Sequence, residues 1–238
     1  AAYESFNFHL VYQKLPQFCV DELSSFYLDA LKDRMYTMPR DSRGRRSAQT
    51  AMYHILQALT RWMAPVLSFT AEEVWSYLPG ERSESVFLET WYQGWPEPHA
   101  AADGLDREFW ELVRAVRAEV ARALERARVA GAIGSSLDAE VDLYCAPGLL
   151  ESLRLLEDEL RFVLITSGAR LHALPMADAD AQECGRPDLR LRVSVSAHAK
   201  CVRCWHHRAE IGSDHEHPQL CARCIANVAG GGEIRRYA

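Results

Sequence analysis

Apolar residues recur at steps of three and four along three long stretches of the chain. These stretches cover residues 6–35, residues 48–63 and residues 105–127. Such spacing places the apolar side chains on one face of an α-helix. The sequence therefore predicts three helical segments, the last of which ends at Gly131.

Breaking and capping signals lie within and between these helical segments. Pro16 interrupts the first stretch and predicts a kink or a break there. Residues 39–49, PRDSRGRRSAQ, predict a polar and basic loop. Residues 70–73, TAEE, have the form of a capping box, which predicts that a short helix opens at that point. Residues 80–104 are rich in Gly, Pro and Trp without a period, and they predict an ordered connector.

The hydrophobic pattern changes after Gly131. Alternation of apolar and polar residues predicts strands over residues 140–145, 169–174 and 189–195. The spacing of leucines predicts a helix over residues 148–163. This part of the chain is therefore expected to form a small α/β subdomain.

These patterns predict a mainly α fold in three parts. A helical bundle with its connector would occupy residues 1–104, and a long helix with the small α/β subdomain would occupy residues 105–197. Residues 198–238 would form a metal-binding module, because four cysteines cluster there.

Composition and charge restrict the class of protein. Hydrophobic residues make up 48% and charged residues 25% of the chain, as in ordinary soluble globular proteins. No run of 18 apolar residues and no signal peptide occurs, so neither a membrane span nor secretion is expected. The net charge of −6 argues against a general nucleic-acid coat protein. Residues 198–238 nevertheless carry six Lys and Arg against four Asp and Glu, and a local basic face can bind phosphate within a Debye length of about 10 Å.

Seven cysteines divide into three scattered thiols and one cluster. Cys19, Cys145 and Cys184 lie far apart in the sequence and are expected to be core or surface thiols. Without a secretion signal, a reduced cytoplasmic setting is more plausible than a disulfide scaffold.

The clustered cysteines have the spacing of a structural zinc site. Two C-x-x-C pairs, Cys201 with Cys204 and Cys221 with Cys224, are separated by sixteen residues. Four thiolates complete a tetrahedron around Zn²⁺ and leave no open position for water or substrate. The sequence thus predicts one structural zinc, which a segment of about 40 residues with almost no core needs in order to fold.

Other uses of the cysteines are less favoured, although one alternative ligand set stays open. A mixed site would replace one cysteine by a nearby histidine, and the candidates are His206, His207, His215 and His217. The zinc deaminase signature, the H-E-x-x-H motif and the strand–helix context of a redox C-x-x-C pair are all missing.

Arginines and one tryptophan surround the cysteine pairs. Arg203 and Arg223 occupy equivalent positions inside the two C-x-x-C turns, and Trp205 follows the first turn. Arginines suit phosphate, and an exposed indole offers a stacking face for an unpaired base. Trp205 could equally cover the zinc sulfurs as a small core, so both interpretations stay open. No nucleotide-binding or hydrolase motif occurs, and the chain is therefore expected to be a binding module.

Three stretches carry a resemblance to a known family. They read FYLDALKDRMYT (residues 26–37), RRSAQTAMYHILQALTRWMAPVLSFTAEEVWSYLPGER (residues 45–82) and KCVRCWHH…LCARCIANVAGGGEIRRYA (residues 200–238). The first two resemble the anticodon-binding helical bundle of class I aminoacyl-tRNA synthetases for valine, leucine and isoleucine. The third resembles the C-terminal zinc knuckle of bacterial isoleucyl-tRNA synthetases, which is the more specific likeness.

The resemblance implies a partner and a role. The family's bundle docks on the anticodon stem-loop of isoleucine tRNA, its zinc module grips the anticodon end, and its catalytic core uses ATP to attach isoleucine. The signatures of that core and the editing domain are absent here, so this chain is expected to bind tRNA, as a cytoplasmic monomer beside the core, without catalysing the reaction. The RNA-contact candidates are Arg43, Arg45, Arg46, Arg203, Trp205, Arg223, Asn227, Arg235 and Arg236.

One other class of function competes with this interpretation. A free-standing zinc knuckle could bind a protein instead of RNA, and Trp91, Tyr92 and Trp95, which are expected to be exposed, could serve such an interaction.

Overall fold

The computed structural model describes residues 2–95 and 104–237. The chain forms two compact units. One unit comprises residues up to 29 together with residues 45–95, and the other comprises residues 30–44 together with residues 104–237. The three-part division expected from the sequence stays a prediction. No helix within the described residues is both long enough and apolar enough to cross a membrane.

The first unit begins with helical backbone, as predicted. Helix α1 spans Phe8–Gln17 and contains Pro16, and a wide π-helical segment spans Phe18–Leu28. Proline cannot donate the backbone hydrogen bond that a regular turn requires, and the wider winding begins two residues after it. The predicted interruption therefore takes the form of a change in helical winding rather than a break. Helix α2 follows at Asp29–Thr37.

Two predicted helix starts were wrong. Helix α3 spans Arg43–Met63, so most of the predicted loop at residues 39–49 is helical. Arg, Ala and Gln are good helix formers even where no apolar period shows. Helix α4 spans Ser68–Tyr77 and starts before the predicted capping box, with no side chain capping its first turn.

The segment after α4 packs against the helices of its own unit. The buried core here consists of Ala64, Ala71, Trp75, Leu78 and Val86. The indole of Trp75 donates to the carbonyl of Ser83 at 3.0 Å, and the Arg61 guanidinium lies 4.7 Å from the centre of the Trp75 ring. Residues 80–95 of the expected connector lie within the described part of the chain, and Ser83 and Val86 contact this unit. The remainder of the expected connector, to residue 104, lies almost wholly outside the described residues.

The second unit contains the long helix that the apolar period predicts. Helix α5 spans Arg107–Val129. Asp106 caps its start by accepting from the amide of Phe109 at 2.8 Å. Gly131 lies just beyond its end with φ of 73°, a left-handed conformation that glycine adopts without strain.

A four-stranded sheet with two short helices completes the predicted α/β part. Its strands are β1 (Ala139–Cys145), β2 (Gly168–Ala173), β3 (Gln182–Glu183) and β4 (Leu189–Val195), in the order β2-β1-β4-β3. Strand β1 runs parallel to β2 and antiparallel to β4.

The single helix predicted over residues 148–163 is in fact two. Helix α6 spans Pro147–Arg154 and helix α7 spans Leu160–Leu164. The backbone turns between them at Glu157, whose φ is 49°. Helix α8, Ala222–Ala229, follows the second cysteine pair and was not predicted from the sequence.

Candidate metal centre and nucleic-acid interface

The four clustered cysteines converge on one point. Cys201 and Cys204 lie on a loop, Cys221 is the N-cap of α8 and Cys224 lies in its first turn. Their four sulfur atoms all lie within 4.8 Å of one another, and the sulfurs of Cys204 and Cys221 are 3.6 Å apart. A Zn–S bond of about 2.3 Å implies sulfur–sulfur distances of about 3.8 Å in a tetrahedron. The donor set and its spacing therefore fit a zinc ion.

Backbone hydrogen bonds build the turn of the first cysteine pair. The amide of Trp205 donates to the carbonyl of Cys201 at 2.9 Å, and the amide of Cys201 donates to the carbonyl of His206 at 2.9 Å. The amide of Cys221 reaches the sulfur of Cys201 at 3.4 Å. These contacts hold both cysteine pairs in a ligand-ready arrangement.

Proton sharing among the sulfurs shows why the cluster suits a cation. Hydrogen bonds from Cys204 and Cys224 lower the pKa of Cys221, whereas hydrogen bonding to Cys204 and Cys221 raises the pKa of Cys224. A negative charge on Cys221 is thus stabilised by the protons of neighbouring thiols, and burial raises the pKa of Cys224 further. A bound metal ion would replace those protons and stabilise the remaining thiolates.

Histidines take no part in this cluster. Within the described residues, the group of side chains that could hold a metal consists of the four cysteines. His206 is buried, and its Nδ1 lies 3.3 Å from a guanidinium nitrogen of Arg161. Burial, followed by the charge of Arg161, lowers the pKa of His206 to about 4, so the ring is neutral at pH 7. The Nδ1 of His207 lies 2.7 Å from the carbonyl oxygen of His198.

Trp205 is displayed on the surface of the second unit. The residue is 62% exposed, and the partly buried apolar residues that pack against the four cysteines are Ile211 and Leu220. Its φ of 66° lies in the left-handed region, which costs an L-residue about 1–2 kcal/mol. The structure thus places a large apolar side chain, in a disfavoured backbone conformation, where it packs little.

Arg223 points away from solvent, toward a carboxylate on α2. Its two terminal nitrogens donate to the two oxygens of Asp33 at 2.7 and 2.8 Å, and one of them also reaches Glu233 at 3.1 Å. The Arg223 side chain is 11% exposed. Although burial raises the pKa of Asp33, the charges of Arg223 and Arg235 outweigh this effect and lower it to about 2.

Residues 227–235 complete this hydrogen-bond network. Arg235 is 1% exposed, pairs with Asp33 and Glu233, and lies 3.5 Å from the centre of the Phe162 ring. Asn227 on α8 donates to Glu233 at 2.7 Å and accepts its amide at 2.8 Å. RNA contact by Arg223, Arg235 and Asn227 stays a prediction, but their polar groups already contact other residues of this unit.

The remaining predicted arginines are half-buried or exposed. Arg203 is half-buried and donates to the carbonyl of Thr37 at 3.3 Å. Arg236 is exposed and lies 5.1 Å from the centre of the Tyr237 ring. Arg43, Arg45 and Arg46 lie in the first turn of α3, which contains no acidic residue. Positive charge at a helix N-terminus opposes the helix dipole, and a bound anion would remove that conflict.

Sequence reasoning missed the residues that join these groups. From the sequence alone, Asp33 and Glu233 are expected to be ordinary surface acids, and Phe162 is expected to be one apolar position of a helix. No local signal marks a carboxylate that pairs with an arginine 190 positions away.

Comparisons with known proteins define the class of protein. Residues 1–143 match the family described as "Anticodon-binding domain of tRNA ligase", and residues 200–227 match the family described as "Zinc finger found in FPG and IleRS". The chain therefore belongs to the tRNA ligase anticodon-binding domain family.

The curated relatives are more specific. The chain is 56% identical over 237 residues to isoleucine–tRNA ligase of Nitrosococcus oceani and 57% identical over 238 residues to that of Azotobacter vinelandii. It is 55% identical over 240 residues to isoleucine–tRNA ligase of Thioalkalivibrio sulfidiphilus. In each case 100% of this chain aligns with 25% of the relative, so the chain spans about a quarter of the length of these ligases.

Proposed function

We propose that this chain is the tRNA-recognition part of an isoleucine–tRNA ligase and binds the anticodon stem-loop of isoleucine tRNA. The family match over residues 1–143 and the names of the relatives support the proposal. The observation that carries it is Trp205, an indole that is 62% exposed beside the four-cysteine cluster. An exposed aromatic ring on a rigid turn offers a platform for an unstacked loop base.

The metal in this proposal is a single structural Zn²⁺ bound by Cys201, Cys204, Cys221 and Cys224. All four ligand side chains are buried, and four thiolates leave the ion no position for substrate. The ion would hold the two cysteine turns together so that Trp205 and Arg203 keep a fixed direction. It would therefore contribute to folding and to binding, without taking part in chemistry.

The RNA contacts that the geometry favours are those with accessible groups. Trp205 would stack on a loop base, and Arg203 and Arg236 would contact phosphates near it. Arg43, Arg45 and Arg46 would form a second phosphate contact at the start of α3. For Arg223, Arg235 and Asn227, burial favours a supporting role instead.

In the parent enzyme this part would serve a reaction that takes place elsewhere. The ligase would use ATP to attach isoleucine to its tRNA in a catalytic core that the aligned quarter does not include. We propose that this chain acts in the cytoplasm, as a monomer alongside that core, and that it does not bind ATP itself. Accordingly, the isolated chain should show no ATP–pyrophosphate exchange with isoleucine.

A filter-binding titration tests the proposal. The chain is titrated with isoleucine tRNA and with an unrelated tRNA, each at two salt concentrations. The proposal expects a preference for isoleucine tRNA and weaker binding at the higher salt concentration, because phosphate contacts release counterions. Equal binding of both tRNAs, or no binding at either salt concentration, would contradict it and would favour a zinc knuckle that binds protein.

A further inference from the structure

We propose that Asp33 is a positioning residue for RNA recognition. By holding Arg223 and Arg235, it fixes the direction of the four-cysteine module, residues 201–237, and with it the direction of Trp205. The inference rests on the function proposed above, because it concerns the placement of the groups that would touch RNA. It assigns the buried arginines a role within the protein rather than at the RNA.

Asp33 and Arg223 make a two-point contact. Arg223 lies between two cysteine ligands, Cys221 and Cys224, so its guanidinium moves with the metal cluster. Two parallel hydrogen bonds of 2.7 and 2.8 Å fix the relative orientation of the two groups as well as their distance. A single contact would leave the module able to rotate about it.

Arginines from both cysteine turns contact the same stretch of α2. Arg203 from the first turn donates to the carbonyl of Thr37 at 3.3 Å, and Arg223 from the second turn reaches the hydroxyl of Thr37 at 3.1 Å. The two arginines occupy equivalent positions in their C-x-x-C turns. Both cysteine turns of the module therefore contact helix α2. The contact residues on the helix, Asp33 and Thr37, are one helical turn apart.

The segment after α8 returns to the same carboxylate, that of Asp33. Gly232 turns this segment with φ of 87°, and its amide donates to the carbonyl of Ala226 at 2.9 Å. Arg235 then pairs with Asp33, while the amides of Arg236 and Tyr237 donate to Glu159 at 2.6 and 2.8 Å. The exposed Arg236 is thus fixed in position next to the buried side chain of Arg235.

The consequence for recognition is geometric. Trp205 is separated from Cys204 by one peptide bond, and its amide is held by Cys201, so any rotation of the module carries the indole with it. Stacking requires the ring to lie parallel to a base at van der Waals distance, and a small rotation removes that overlap. Asp33 would then affect RNA affinity without touching RNA.

A double-mutant cycle on the full chain tests the proposal. Asp33→Asn, Trp205→Ala and the double variant are compared by filter binding to isoleucine tRNA, with zinc content measured on the same samples. Trp205→Ala should weaken binding about ten- to a hundredfold, and Asp33→Asn about tenfold. The double variant should bind about as weakly as Trp205→Ala alone, because without the indole the loss of Asp33 has no stacking group left to misdirect. A role in stability alone would instead make the two effects multiply.

Matched variants show whether an effect of Asp33→Asn comes from the lost negative charge in general or from the carboxylate at position 33. Asp41→Asn removes the same charge from an exposed residue of the same unit and should leave the affinity unchanged. Asp33→Glu keeps the carboxylate and should recover most of the affinity. If Asp33→Asn loses zinc, the cycle is repeated with Arg223→Lys, which keeps the charge but cannot reach both carboxylate oxygens.

Two results would overturn the inference. One is wild-type affinity in zinc-loaded Asp33→Asn, and the other is multiplicative effects in the double variant. Both differ from a failure of the proposed function, in which the wild-type chain itself shows no preference for isoleucine tRNA.

Discussion

Asp33 and Arg223 are 190 positions apart in the sequence and are joined by two hydrogen bonds of 2.7 and 2.8 Å. The carboxylate is 16% exposed and the guanidinium 11% exposed, so water screens the pair only weakly. Removing one partner of such a pair leaves the other as an uncompensated buried charge. Breaking the contact between helix α2 and the cysteine module should therefore cost more than breaking a surface ion pair.

Acid should loosen this link in a defined pH range. The pKa of Asp33 is about 2 in the folded chain and about 3.8 in the unfolded chain. Because the folded value is lower, the stabilisation is fully present above about pH 4 and is lost as the pH falls toward 2. A shift of this size corresponds to about 2 kcal/mol. Chemical denaturation at pH 7, 4, 3 and 2 should show wild-type stability converging on that of Asp33→Asn, whereas a constant difference across this range would contradict the assignment.

Loss of one cysteine ligand should release the metal. Cys221→Ser removes a buried thiolate from the N-cap of α8, and the chain should then purify with much less than one zinc per molecule. Limited proteolysis should cleave after about residue 198, where wild type resists. Cys19→Ser changes a cysteine outside the cluster and should keep both zinc and protease resistance. Full zinc content in Cys221→Ser would instead indicate a histidine ligand.

Replacing Trp205 by glycine should have opposite effects on the stability of the chain and on its affinity for tRNA. Glycine tolerates the left-handed φ of 66° that tryptophan adopts at a cost, so Trp205→Gly should keep or raise the stability of the zinc-loaded chain, by about 1 kcal/mol at most. The same substitution removes the stacking surface and should weaken tRNA binding about ten- to a hundredfold. Thermal unfolding and filter binding on one sample check both effects. A large loss of stability would mean that the indole serves packing after all.

The neighbours Arg235 and Arg236 should behave differently when each is changed to glutamine. Arg235 is 1% exposed between two carboxylates, so its loss should destabilise the chain by about 3–5 kcal/mol. Arg236 is exposed, so its loss should leave stability unchanged and reduce the slope of log affinity against log salt by about 0.7. Arg107→Gln, at a side chain that is 92% exposed, serves as the charge control. An unchanged salt slope in Arg236→Gln would remove that residue from the RNA contacts.

Much of the fold follows from local pattern, and the exceptions have local causes. The apolar period of Val113, Val116 and Val120 predicted α5 because one face of that helix is buried. The start of α3 was missed because its first turns carry arginines rather than apolar residues. The break between α6 and α7 was missed because leucines continue across it, and only the backbone shows the positive φ of Glu157.

The clustering of the four cysteines was predictable, but its surroundings were not. Two C-x-x-C pairs constrain four sulfurs by spacing alone, and the sulfurs do converge. The positions of the arginines depend on carboxylates that are remote in sequence. Arg203 and Arg223 look alike in the sequence, yet one is half-buried against a backbone carbonyl and the other is held by Asp33. Because both residues are arginines, the sequence suggested phosphate contact for both. The structure distinguishes them, because the two side chains are buried to different degrees.

The most direct test of the central claim uses an RNA hairpin instead of a whole tRNA. The anticodon stem-loop of isoleucine tRNA and a stem-loop with the same stem and an altered anticodon are titrated against zinc-loaded wild type and Trp205→Ala. The account expects wild type to prefer the isoleucine hairpin and Trp205→Ala to lose about ten- to a hundredfold in affinity for it. Equal affinity of the two proteins for that hairpin would contradict the account.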